Sequence, residues 1–373
     1  MSHPIDKYGG RILKTSRRTA ILGVSGLCAG LLLSRYRPFS NPLDDVIERF
    51  RAAYGLAGAV VAFGATGERP EVRAYGHADQ AGTRAMTPRD MFKIASLSKP
   101  VTAAAVLALV RAGRLTLDTT LADIFPHVAR ATDPRLPHIT LRQLLQHSGG
   151  WDNAKSFDPF VIDSAALQDR LGLRPDAATD CAAVADAMLP LPLQFDPGTR
   201  YAYSNIGYCW LGRVLGKVGA DSYAATAHRL LPETNGLSLD PAAVTVEHPT
   251  SENFRSFLVN TPSIIAAAGG WISSAGDYFL FASQPSDPAT MERPPYAEGQ
   301  QHYGLGWRVW SLHEHPLLTH FGAMPGAFSV VLKRPQGQTF VALFNGRPAP
   351  ELPAFHSLMQ SVLSLPQWQD TTG

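Results

Sequence analysis

The sequence predicts an α+β fold, in which one antiparallel sheet is assembled from the two ends of the chain and an all-helical region is inserted between them. Three observations predict it. Strand-like segments lie near residues 58–76 and again after about residue 301. The text between about 115 and 265 is helical, broken by Pro and Gly, without strand-like alternation of any length. Helical patterns at 44–54 and 354–363 can cover the sheet from the two termini. At 373 residues the chain exceeds one average domain, so one composite domain or two interleaved ones is expected. The expected division is an export segment over 1–40, a sheet region from 41–95 plus 266–373, and a helical insertion over 96–265.

The elements follow in order. Asn41-Pro42 opens a helix through Asp44–Tyr54, with Ile47, Phe50 and Tyr54 at helical spacing. Gly58–Gly64 and Glu71–Gly76 read as strands around the turn Thr66-Gly67. A helix over about Leu97–Arg111 is stopped by Gly113, and further helices are expected at Leu141–Gln146 and Ile206–Val218. Tyr303–Trp310, Leu317–Phe321, Phe328–Lys333 and Thr339–Phe344 read as short strands, and Ala354–Leu363 as a closing helix. Gln284–Gly299, rich in Pro, Ser and charge, reads as a surface loop. Ligand sites form where two such regions meet, so the chemistry is expected between sheet and insertion.

Charge separates the first forty residues from the rest. They carry seven Lys/Arg against Asp6, a balance of +6, which leaves −4 for the remainder of a chain whose net charge is +2. A mildly acidic body lacks the basic face of a nucleic-acid binder. Ser16-Arg17-Arg18-Thr19 leads into the apolar run Ala20–Leu33, the layout of a secretory signal, and the paired arginines suggest twin-arginine export. The run falls short of the ~20 apolar residues of a spanning helix. It has no small-x-small cleavage site, so removal and retention as a membrane anchor both stay open. Cys28 invites a lipoprotein reading, which the bulky Leu27 disfavours. Cys181 and Cys209 are too few for a disulfide framework; buried free thiols are the expectation, with a single bridge between them left open by an export compartment. No CxxC or HExxH spacing occurs, so neither a metal nor another cofactor is expected.

The most informative tetrapeptide is Ser96-Leu97-Ser98-Lys99. Proline is tolerated only around the first turn of a helix, so Pro100 requires the helix to begin close to Ser96. Ser96 and Lys99 then share one face, with Ser96 at the positive end where unpaired N–H groups point outward. An acylating hydroxyl needs a base, a dry setting and donors for the developing oxyanion. Lys99 can be that base if burial lowers its pKa, and Phe92, Ile94, Leu97 and Val101 surround it with apolar bulk. Alone, S-x-x-K is equally an N-cap serine beside a solvated lysine.

Context changes that reading. Phe92-x-Ile94-Ala95-Ser96-x-Ser98-Lys99-Pro100-Val101-Thr102 resembles the active-site segment of the serine β-lactamase and penicillin-binding-protein superfamily, in particular the branch related to class C β-lactamases that includes family VIII esterases and D-peptidases. The resemblance implies the β-lactamase/DD-peptidase-like fold and a hydrolase that forms an acyl-enzyme on Ser96. It also supplies the other motifs. Tyr203-Ser204-Asn205 matches the Tyr-x-Asn element, implying that Tyr203 shuttles protons and Asn205 bonds Lys99 and the acyl side of the substrate. Tyr201 is a competing tyrosine, but only Tyr203 has the right offset from Asn205. His320-Phe321-Gly322 stands where class C enzymes carry Lys-Thr-Gly. A mostly neutral imidazole there, with an ordinary pKa of ~6.5, implies a weaker, pH-dependent grip on a substrate carboxylate, with Phe321 turned to the sheet's other face. The implied oxyanion donors are the backbone N–H groups of Ser96 and Ala323, beside Gly322.

Further stretches resemble the family across roughly residues 45–365. They are Ile139–Gly150 (ITLRQLLQHSGG), Ala268–Ser274 (AGGWISS) and Tyr303–Trp307 (YGLGW). His147 within the first reads as structural. The expected substrate is a small ester or a D-amino-acyl amide or peptide. True β-lactamase activity and a catalytically silent, membrane-tethered scaffold are the alternatives. No nucleic-acid partner is expected, and location is expected to be periplasmic or membrane-anchored.

Overall fold

The computed structural model describes residues 41–153, 155, 181–240, 242–243, 245–246, 265–312, 315–335 and 337–368. Residues 41–373 form one compact unit, and the expected export segment, 1–40, lies outside the described residues. Its centre is a seven-stranded antiparallel sheet. In chain order the strands are β1 (Gly58–Ala65), β2 (Glu71–Gly76), the short β3 (Phe92–Lys93) and β4 (Ile272–Ser273), β5 (Gln301–Tyr303), β6 (Arg308–Leu312), β7 (His315–Met324), β8 (Ala327–Lys333) and β9 (Gln338–Phe344). The large sheet runs β2-β1-β9-β8-β7-β6-β5, and β3 pairs with β4 in a small sheet of their own. The two ends of the chain meet where β1 pairs with β9, Val61 opposite Ala342. This is the architecture the terminal strands predict.

Each face of the sheet is covered. Helix α1 (Pro42–Tyr54) and the last helix pack on one face through Ile47, Phe50, Phe355 and Leu358 against Phe328, Val330, Phe340 and Phe344. The other face meets the helical region through Val331, Val341 and Leu343. Strand β8 is therefore buried along its whole length, and β8 and β9 read as apolar runs because neither face meets water. Asn41 caps α1 by accepting from the Leu43 N–H at 3.0 Å, and Gly55 ends it in the left-handed conformation at φ 62°. The helical layer contains α2 (Ser98–Arg111), α3 (Leu141–Leu145), α4 (Cys181–Ala187), α5 (Asn205–Gly219), α6 (Tyr223–Leu230) and α7 (Ala275–Ala282), and the closing helix is α8 (Glu351–Leu363).

Two expectations are corrected. The segment Tyr303–Trp310 is two strands, not one. At Gly306 the backbone takes φ 89°, and a Cβ there would lie 2.3 Å from the Ala103 Cβ on α2, so the chain turns tightly against that helix. The Gly304 N–H closes the turn on the Trp307 carbonyl at 2.8 Å. The second correction concerns the thiols. Cys181 and Cys209 form a disulfide joining the start of α4 to α5, with Cα atoms 5.4 Å apart. Spacing along the chain could not reveal this, because the pairing depends on two helices lying side by side. The loop it closes spans a sequence separation of 28, which corresponds to about 3 kcal/mol of stabilisation through the unfolded chain. Urea melts of Cys181→Ser/Cys209→Ser are expected to show a loss of that order. A loss below about 0.5 kcal/mol would contradict the assignment of a stabilising bridge.

Candidate active site

The segment carrying Ser96 is held from three sides. Ala95–Leu97 forms a tight 3₁₀ turn ahead of α2, with Ala95 in the left-handed region at φ 48°. A non-glycine residue there is strained by about 1–3 kcal/mol and persists only where surrounding contacts hold it. Those contacts are present. The Ser98 hydroxyl donates to the Ala95 carbonyl at 2.7 Å and accepts from the Trp271 N–H at 3.1 Å. The Ile94 N–H reaches the Trp271 carbonyl at 3.0 Å, and the Ser329 hydroxyl donates to the Ile94 carbonyl at 2.7 Å. Ser96 is thereby left half-buried at the entrance of α2, as Pro100 requires.

Around its Oγ the structure gathers the residues predicted from two separate motifs. The Tyr203 phenol oxygen lies 2.7 Å away, and Lys99 Nζ lies 3.1 Å away. Lys99 is fully buried, and it donates to Asn205 Oδ1 and to the Ala268 carbonyl, both at 2.7 Å. Both of those oxygens can only accept. An amine that spends two N–H bonds on them turns its third position to Ser96. That position is a lone pair when the amine is neutral and an N–H when it is charged. The Ala268 carbonyl is delivered by a single π-helical turn, Ala266–Gly270, a local widening that frees backbone groups from the helical ladder. Nζ also sits over the Tyr203 ring, 4.7 Å from its centroid.

Tyr203 is set in place by the chain on either side. The segment 198–204 runs beside 147–153, with Gly198 N–H to Ser148 O and Ala202 N–H to His147 O, each 2.8 Å, and Asn153 N–H to Tyr203 O at 3.2 Å. Ser204 then caps α5, which places Asn205 in its first turn. His147 is buried beneath the tyrosine, ring centroids 4.4 Å apart, and its Nδ1 accepts the Ser204 N–H at 3.2 Å. It shapes the segment and makes no described contact with Ser96.

The β7 strand closes the site. A Cβ on Gly322 would stand 2.7 Å from the Ser96 nitrogen and 2.6 Å from the Ile94 carbonyl oxygen, so only glycine lets β7 pass this close to Ser96. Ala323 follows half-exposed on the same strand. Phe321 turns to the opposite face and stacks on Phe355 at 4.9 Å. His320 departs from the expected pH-dependent grip. It is buried, its Nδ1 lies 2.9 Å from the Phe321 carbonyl, and its Nε2 lies 2.9 Å from the Tyr303 phenol. The carbonyl only accepts, so Nδ1 carries the hydrogen and Nε2 accepts from Tyr303. Burial first, then the positive charges of Lys99 and Arg308, hold its pKa well below the usual histidine range. His147 is lowered in the same way, by burial and then by Lys99 and His320.

This has a measurable consequence. Below pH 6.5 the unfolded chain protonates these imidazoles while the folded chain does not, so stability falls as pH drops from 6.5 toward 5, by up to about 1.4 kcal/mol per pH unit for each ring. His320→Gln is expected to flatten that slope in urea melts. An unchanged slope would mean that His320 takes up its proton normally in the folded state. Activity between pH 6.5 and 8 is expected to show no imidazole titration from His320.

Sequence reasoning missed four contributors to the site: Ser98 as the latch of the nucleophile turn, the Ala268 carbonyl, Ser329 and Tyr303. The resemblance contained Ser98 and Tyr303 as unassigned motif positions. A backbone carbonyl leaves no trace in residue identity. Among the described residues no group of His, Cys, Asp and Glu has a metal-binding arrangement.

Comparison with known proteins places the chain. The family profile described as Beta-lactamase matches residues 43–356. Esterase EstB of Burkholderia gladioli is 32% identical over 202 residues, 52% of this chain and 49% of that protein. "Probable fimbrial assembly protein FimD, serogroup H1" of Dichelobacter nodosus is 31% identical over 146 residues, 39% of this chain and 34% of that one. The chain thus spans about a third to a half of the length of these curated relatives. The crystal structure of D-amino acid amidase from Ochrobactrum anthropi SV3 with D-phenylalanine superimposes with a TM-score of 0.67 at 17% identity, covering 87% of this chain and all of that one, a likeness of fold. With its profile matched over most of its length and its fold shared, the chain belongs to the Beta-lactamase family.

Proposed function

We propose that this protein is an exported serine hydrolase that acylates itself on Ser96 while cleaving a small ester or D-amino-acyl amide. The observation that carries the proposal is the position of Ser96 Oγ, within hydrogen-bond reach of both Lys99 Nζ and the Tyr203 phenol. A serine is a weak nucleophile until a neighbouring base takes its proton. Lys99, in its neutral form, offers its lone pair to that hydroxyl because its two N–H bonds are committed elsewhere. As Ser96 Oγ attacks the substrate carbonyl, its proton passes to Lys99 or Tyr203, and the carbonyl oxygen becomes an oxyanion. The N–H groups of Ser96 and Ala323 are the proposed donors to it. Tyr203 then hands a proton to the departing alcohol or amine. Water or a second acceptor, activated by the same pair, releases the acyl group from Ser96.

His320 supports the choice of substrate. A neutral, buried imidazole with both nitrogens engaged offers no cation to a β-lactam carboxylate, and a charge-assisted hydrogen bond contributes about 1.5–3 kcal/mol. Esterase EstB and D-amino acid amidase, by their names, are relatives of the proposed activities. Export is supported by the twin-arginine-like start of the chain and by the Cys181–Cys209 bridge, which persists in oxidising compartments. Kinetics on p-nitrophenyl acetate, D-alanine p-nitroanilide and nitrocefin test the ranking. The ester or the anilide is expected to exceed nitrocefin in kcat/KM by about tenfold to a hundredfold. Nitrocefin turnover equal to or faster than both would overturn it.

A further inference from the structure

A second cavity lies at the far end of α2 from Ser96. It has a volume of about 100 Å³ and lies between α2, the end of α7, the 284–290 loop and the turn joining β5 to β6. Helix α2 carries Lys99 in its first turn and Arg111, a lining residue, in its last, so about 18 Å of helix separates the two sites. Leu107, Phe281, Leu305 and Trp307 supply the apolar part of its wall, and Gln284, Ser286 and Thr290 an uncharged polar part. One charged group enters from β8. Lys333 is only 4% exposed, and its Nζ donates to the Gln284 carbonyl. Three other charged residues line the cavity. Arg111 and Asp287 neutralise each other at 2.6 Å, and Glu233 is half-exposed at the rim.

An ammonium has three donors, and water or a counter-ion normally occupies all of them. Lys333 reaches one protein oxygen and shows no ion pair among the described contacts, in a space whose lining is part apolar and part polar. We infer that this cavity binds a short aliphatic carboxylate of acetate size, with its head on Lys333 and its methyl group against the Leu107, Phe281 and Trp307 wall. At about 30 Å³ per water, the space corresponds to about three waters, which limits the ligand to the size of acetate. It is smaller than the roughly 150 Å³ cavity that accepts benzene. Burial lowers the Lys333 pKa to about 8, so an unliganded Lys333 loses its charge above that pH, and carboxylate binding weakens between pH 7 and pH 9. Acetate is also the acid that short esters would release, but the cavity is defined by its own lining, and the test needs no turnover.

The test is an NMR titration of [13C]acetate into the full chain at pH 7. Saturable binding with a Kd on the order of 1 mM is expected. It should fall below detection in Lys333→Met and in Ser286→Trp, a rim substitution that leaves the core intact, and it should survive in Ser96→Ala. No saturable binding to the unaltered chain, or binding retained in Ser286→Trp, would overturn the inference. So would loss of binding in Ser96→Ala alone. Displacement of acetate by equimolar chloride would also overturn it, since that outcome describes a site for any anion.

Discussion

Ser96→Ala is expected to lower kcat for ester or amide cleavage by about 10⁴-fold or more, with little change in fold. The size follows from what remains. Removing the nucleophile leaves binding and oxyanion donors, and such remnants keep only a small share of a serine enzyme's acceleration. The fold is spared because the latch of the nucleophile turn is Ser98, not Ser96: it is the Ser98 hydroxyl that bonds Ala95 and Trp271. The measurement is steady-state turnover of p-nitrophenyl acetate beside a thermal melt. Wild-type turnover by this variant would point instead to a different nucleophile.

Lys99 carries the second large effect, and two substitutions separate its possible roles. Lys99→Met removes the base and leaves Asn205 Oδ1 and the Ala268 carbonyl without their shared donor, each loss costing about 1–3 kcal/mol. Removing a buried ammonium that must be desolvated offsets part of that. Stability is therefore expected to change modestly, while kcat falls by about 10³-fold or more. Lys99→Arg keeps a positive charge, but a guanidinium does not release its proton in a protein. If Lys99 works as a proton acceptor, the arginine variant is as inactive as the methionine one. Arginine activity within tenfold of wild type would show that the charge, not the proton, matters.

Much of this arrangement was legible in residue order. Pro100 alone set the start of α2 and with it the common face of Ser96 and Lys99, and the offset within Tyr203-Ser204-Asn205 pointed to Tyr203, the tyrosine beside Ser96 Oγ, over Tyr201. The strands near both termini and the helical middle anticipated the sheet. What escaped has physical causes. Helices α6 and α7 are short and packed on several sides, so neither shows one clean apolar stripe. The break at Gly306 is imposed by Ala103 from another helix, and the Cys181–Cys209 bridge by the packing of α4 on α5. The state of His320 depends on Tyr303 and Arg308 from neighbouring strands and on Lys99, which lies far away in the chain. Local pattern carries local structure, and a site built from four segments records its electrostatics only when folded.

The central claim is a covalent bond to one oxygen. Intact and peptide mass spectrometry after brief incubation with a fluorophosphonate should find a single adduct on the peptide containing Ser96, absent from Ser96→Ala and strongly slowed in Lys99→Met. A stoichiometric adduct on any other residue, or none while the same preparation cleaves ester, would contradict it.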